Sequence, residues 1–152
     1  MDSALVGDGI QMTVKEAYEF LYSVQHIENQ IKICKTKQEA LRLCLLPQGI
    51  RYDLDKIQTT PTDRMSDIEA DIADLSAEIA RLNDEKYEQI KRISVAISAL
   101  DDDVEQVVLN AYYIGRLPMK KVADTVHYSL RGAYKIKKRG VQHLAKTCTK
   151  CS

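Results

Sequence analysis

Apolar residues recur at steps of three and four along most of the chain, a rhythm that predicts helices and no strands. Val14, Ala17, Leu21, Val24, Ile27, Ile31, Cys34, Leu41 and Leu45 trace one stripe, with a polar gap at Gln38. That spacing predicts an amphipathic helix near thirty residues long. Thr13 and Glu16 form a capping box at its start, and Pro47 and Gly49 end it. Residues 47–62, PQGIRYDLDKIQTTPT, lack periodicity and predict a loop. A second stripe runs through Ile68, Ile72, Leu75, Ile79 and Leu82, meets Lys86, and resumes at Ile90, Ile93, Ile97 and Leu100. Its spacing is that of heptads with a stutter. This helix starts either at Thr60-Pro61 or at Ser66, where Glu69 completes a second capping box. The two helices predict an antiparallel, coiled-coil-like hairpin over residues 13–100, serving as a scaffold or oligomerisation stem. A homodimer through the same stripes is the competing arrangement.

Residues 101–146 read as a second, smaller helical domain. Asp102 with Glu105 makes another capping box, and Val107, Val108, Ala111, Tyr112 and Ile114 predict the buried face of a third helix. Gly115 suits its end, at positive φ. Pro118 lies near the start of a short fourth helix with Val122, Ala123 and Val126 on one face. His127 and Tyr128 break the pattern, and Ser129 is a natural N-cap for a fifth helix that turns Ala133, Ile136 and Val141 or Leu144 inward. Two apolar faces so close in sequence, joined by so short a turn, predict a helix-turn-helix. The expected fold is all-α, with flexible ends at 1–12 and 147–152.

Charge sharpens this picture. The chain is formally neutral, with 22 basic and 22 acidic side chains, but they are segregated. Residues 1–66 carry 8 basic against 9 acidic, residues 67–105 carry 4 against 12, and residues 106–152 carry 10 against 1. A block of net charge +9 on an acidic stem is an electrostatic footprint for a polyanion. The fifth helix leaves Leu130, Arg131, Tyr134, Lys135 and Lys138 on its outer face. Arg131, near the helix N-terminus, suits guanine O6 and N7; Lys135 reaches a base or a phosphate. Leu130 or Tyr134 suits a thymine methyl, Tyr134 alternatively packing on the preceding helix. Lys120, Lys121, Ser129, Lys137, Lys138 and Arg139 are the phosphate candidates.

Other chemistry is sparse. His26, His127 and His143 fall on separate elements, without a nucleophile elbow or a phosphate-binding glycine loop, so no enzyme and no cofactor is expected. Cys148 and Cys151 have the spacing of half a zinc site, but no second pair completes it and no metal is expected. No run of about 18 apolar residues and no secretory signal is apparent, which predicts a cytoplasmic protein with reduced thiols and no membrane contact.

The stretch LDDDVEQVVLNAYYIGRLPMKKVADTVHYSLRGAYKIKKRGVQHLAK resembles region 4 of sigma-70 type transcription factors. The shared features are the capped start at Asp101–Glu105, Tyr112-Tyr113-Ile114-Gly115, a short helix at Met119–Thr125, the serine-capped helix Ser129–Arg139 and Leu144. Thr13 to Lys146 as a whole is similar to short sigma-70-like regulators of phages and prophages of Gram-positive bacteria, including a TSPTSDRM-like connection at Thr59–Met65. The resemblance implies a regulator of phage genes that recognises a promoter element on double-stranded DNA and contacts bacterial RNA polymerase. Two departures stand out. His127 replaces the usual turn glycine, and Leu130-Arg131-Gly132 replaces Arg-Glu-Arg, removing a glutamate that would accept from cytosine. One Phe and no Trp leave nothing to grip a −10 strand, so a complete sigma factor is not expected. Two other classes stay open: a small-terminase-like packaging protein, and a helical interaction protein that never touches DNA.

Overall fold

The computed structural model describes residues 12–46 and 61–148, and every regular element among them is helical. Helices α1 (Val14–Leu45) and α2 (Pro61–Ser98) are long; α3 (Asp103–Leu109) passes into a π turn (Asn110–Ile114), followed by α4 (Met119–Val126) and α5 (Leu130–Thr147). No helix among the described residues is long and apolar enough to cross a membrane.

The caps explain several boundaries. The Thr13 amide donates to Glu16 Oε1 at 2.9 Å and the Glu16 amide to Thr13 Oγ1 at 3.1 Å, the reciprocal pair expected at the start of α1. Pro61 opens α2, where its missing N–H costs nothing. Ser66 with Glu69 therefore lies inside the helix, and residues 61 and 62 are helical rather than loop; the rest of the expected loop, 47–60, lies outside the described residues. Asp102 caps α3 through the amides of Val104 and Glu105.

The described residues form two compact units, one taking the chain up to His26 and from Tyr87 onward, the other Ile27–Lys86. The expected boundary at residue 100 is not where this division falls. In the first unit Ala17, Leu21 and Val24 of α1 and Ile93, Ile97 and Leu100 of α2 bury together with Leu109, Tyr113, Val141, Leu144 and Ala145. Each buried Leu, Ile or Val among them contributes about 1.5–3 kcal/mol. The apolar stripes do continue as predicted, but here they are covered by the later helices as well as by each other.

In the second unit α1 and α2 run antiparallel. Ile27, Ile31 and Cys34 bury against Leu82, beside Leu75 and Ile79, and Glu28 pairs with Lys86 at 3.1 Å. The polar gap at Gln38 is buried and satisfied: its amide nitrogen donates to the Ile72 carbonyl at 3.0 Å and to Ser76 Oγ at 2.7 Å.

Three expectations near α3 change. Val107 is exposed and Glu105 is buried, because a helix buries 105, 108 and 109 as one face and puts 107 opposite. Gly115 has φ −74°, and the positive φ falls on Arg116 at 58°. The π turn shifts the register, with the Gly115 amide donating to the Asn110 carbonyl at 2.8 Å and Leu117 to Ala111 at 3.0 Å. At the chain ends, Met12 packs on the core of the first unit and Thr147 is still helical; residues 1–11 and 149–152 lie outside the described chain.

Candidate nucleic-acid interface

Helices α4 and α5 are joined by three residues, and each has a local reason for its conformation. Pro118 is extended (φ −65°, ψ 150°) and leads into α4, which buries Met119, Val122 and Ala123. At the far end His127 adopts the left-handed conformation (φ 61°, ψ 40°). Its amide donates to the Asp124 carbonyl at 3.2 Å and that of Tyr128 to Ala123 at 3.0 Å, the paired bonds of a Schellman motif. Histidine thus occupies the position where glycine is easiest, at a cost of about 1 kcal/mol. Ser129 Oγ accepts from the Gly132 amide at 3.0 Å and caps α5. A Cβ on Gly132 would lie 3.3 Å from the Tyr128 ring, so this glycine lets Tyr128 pack on the first turn.

The inward side of the pair is a small apolar core of Val108, Met119, Val122, Ala123, Ala133 and Ile136. Gly140 brings α5 close to α3: a Cβ there would stand 3.2 Å from Leu109 Cδ1. Beside it Glu105 is 1% exposed, accepting from Arg139 Nε at 2.7 Å and lying 2.9 Å from His143 Nδ1. Arg139 also approaches Asp102 at 3.5 Å, and its hydrogen bond to Glu105 holds the guanidinium pKa above its ordinary value. An apolar contact and a charged one therefore fix α5 on α3.

The outward side is where sequence placed most of the candidate residues. Arg131, Tyr134, Lys135 and Lys138 follow at steps of three, one and three, which sets them on a single face, and all are exposed. Leu130 lies at the rim of that face, 47% exposed, and Tyr134 is 50% exposed rather than packed away. Lys120 and Lys121 are exposed on α4. No acidic residue occurs in α5.

Two phosphate candidates are placed differently. Arg139 is engaged by Glu105 and Asp102. Lys137 turns inward among tyrosine rings, with Nζ 4.9 Å from the centroid of Tyr112, 5.5 Å from Tyr113 and 5.6 Å from Tyr18. It also donates to Tyr113 Oη at 3.4 Å. Tyr113 stacks edge-on against Tyr22 and Tyr112. Burial lowers the Lys137 pKa and pushes the Tyr113 phenol far above its usual range. Such a caged ammonium stabilises the fold by cation–π attraction and is poorly placed for a phosphate.

Sequence reasoning missed the burial and pairing of Glu105, the close approach at Gly140 and the tyrosine cage. Spacing offered a signal for each: Glu105 is three before Val108, and Lys137 and Gly140 step by four and three between Ala133 and Leu144. Among the described residues no group of three or more His, Cys, Asp or Glu side chains is arranged to hold a metal ion; Cys151, the partner of Cys148 in the half-site, lies outside them.

Comparison with protein-family models, with curated proteins and with solved structures gave no match.

Proposed function

We propose that the chain is a DNA-binding transcriptional regulator of phage or prophage genes whose α4–α5 pair acts as a helix-turn-helix of the sigma-70 region 4 type. The observation that carries this reading is the outward face of α5: Arg131, Tyr134, Lys135 and Lys138 exposed together on a capped helix that bears no acidic side chain. A helix of this kind suits a major groove, with its N-terminal residues at the base edges. Arg131 reads a guanine; Lys135 reaches a base or a phosphate; Leu130 and Tyr134 offer apolar contact to a thymine methyl. Lys120, Lys121 and Lys138, with Ser129 at the helix start, take the phosphates and supply affinity without sequence information. The paired helices α1 and α2 serve as the stem, and bacterial RNA polymerase is the expected protein partner.

Selection from a random duplex pool, at two salt concentrations and with or without bacterial RNA polymerase, tests this. Enrichment by the protein alone marks a self-sufficient reader and gives its site. Enrichment only with polymerase marks a sigma-like subunit. No enrichment under either condition sinks the proposal.

A further inference from the structure

Helix α1 carries a second row of residues that its buried stripe does not use. Ile33, Lys37, Ala40 and Cys44 follow at steps of four, three and four, so they share one face beside that stripe. All four are exposed, Ile33 at 46%. An open groove of about 490 Å³ borders this row, lined by Lys37, Ala40 and Leu41 of α1 and by Asp71, Asp74 and Leu75 of α2. Leu41 and Leu75 remain only half-buried there, since two helices alone cannot close both edges of the seam between them.

The charges bordering the groove are of opposite sign on its two sides. Lys37 stands on one, Asp71 and Asp74 on the other, and none of the three forms an ion pair with another described residue. The same contrast holds for the helices: residues 27–46 carry 4 basic against 2 acidic side chains, residues 61–86 carry 3 against 8. We infer that this groove is the contact surface for a second copy of the chain, docked about a twofold axis so that α1 of each copy lies along α2 of the other. In that arrangement Lys37 of one copy meets Asp71 and Asp74 of the next, and the contact forms twice. Pairing α2 with α2 would set net −5 against net −5, and pairing α1 with α1 would set +2 against +2. Crossing them is the order that the charges favour. The result is a four-helix arrangement in which Leu41 and Leu75 become core. It leaves the stripes of Ile27, Ile31, Cys34 and Leu82 within each copy, and it does not depend on DNA binding.

The test uses the full chain in sedimentation velocity across a concentration series. Wild type is expected to dimerise. Lys37→Asp alone, and Asp71→Lys with Asp74→Lys, each set like charges across the contact and should raise the dimer Kd on the order of 100-fold. Mixing the two variants should restore a dimer, because both crossed contacts in the heterodimer are again matched. These are exposed helical positions, and circular dichroism confirms that each variant stays helical. A wild type that remains monomeric, variants that dimerise unchanged, or a mixture that fails to pair would each overturn the inference. A monomer whose groove instead takes up polymerase counts among those failures.

Discussion

Arg139 Nε lies 2.7 Å from Glu105 Oε2, a contact that joins α5 to α3 across 34 positions of sequence. The two partners are unequal: the carboxylate is 1% exposed and the guanidinium 51%. Losing the arginine leaves a buried charge with only His143 beside it, whereas losing the carboxylate frees an arginine that water can reach. Arg139→Met is therefore expected to lower the unfolding free energy more than Glu105→Met does, because only the first leaves the buried carboxylate without its arginine. Urea titration of both variants ranks them, and the reverse order would refute this account of the pair.

On DNA the basic residues should separate into three behaviours. Arg131→Ala is expected to lose discrimination at one or two base pairs, costing about 1–3 kcal/mol on the preferred site. Lys138→Ala should weaken all duplexes alike and flatten the salt dependence by about one unit. Lys137→Ala, with its ammonium among Tyr18, Tyr112 and Tyr113, should leave that slope unchanged while lowering stability. Fluorescence anisotropy over a salt series reads all three; a shallower slope for Lys137→Ala would place it on the DNA.

The two glycines of α5 near its core-facing side make a matched comparison. Alanine gains about 1 kcal/mol of helix propensity at either. At Gly132 the close neighbours are Ser129 Oγ and the exposed Tyr128 ring, which can shift, so Gly132→Ala should be neutral or mildly stabilising. At Gly140 the neighbour is the fully buried Leu109, so Gly140→Ala should cost about 1–3 kcal/mol by overpacking. Thermal melts distinguish them, and equal responses would refute the close approach of α5 to α3.

His127 holds a left-handed backbone conformation without being glycine, and its side chain is exposed. His127→Gly is expected to raise stability by less than about 1 kcal/mol, since relieved strain is partly offset by the greater freedom of the unfolded chain. A melting temperature lower than that of wild type would contradict this.

Tyr113 gives a pH dependence of definite sign. Burial raises its folded pKa above the usual value near 10, so its stabilising effect is complete below about pH 10 and is lost as pH climbs toward the folded value. Lys137 acts in the opposite direction. Burial lowers its pKa, so between that value and the ordinary lysine range the unfolded chain holds more protons and stability rises with pH. Tyr113→Phe should therefore retain more of its neutral-pH stability in strong alkali than wild type does. Urea midpoints measured from neutral to strongly alkaline pH check this, and a steeper alkaline loss in Tyr113→Phe would count against it.

The features that were legible in the sequence are those fixed by near neighbours. The Thr13–Glu16 box, the Asp102 and Ser129 caps, the break at His127 and the outward set of α5 each depend on residues a few positions apart, and helical periodicity places them. What covers a stripe is a different question. Leu21 and Ile97 look alike whether they meet each other or also Leu144, so the division into units did not follow the expected boundary. Spacing from Asp102 alone puts Glu105 in a capping box, because its true partners lie 34 and 38 positions away. Charge alone makes Lys137 a phosphate candidate, although its position in the repeat of Ala133, Gly140 and Leu144 points inward. The π turn at Asn110–Ile114 has no recognised pattern in this sequence.

The grip of α3 on α5, through Glu105 and Leu109, falls on residues 139, 140 and 143, while the exposed set lies at 131, 134, 135 and 138. Anchorage and display thus occupy separate positions of one helix. Substitutions other than proline at the displayed positions should spare the buried contacts that hold α5, so a recognition surface built there could change its target in single steps without loss of the fold.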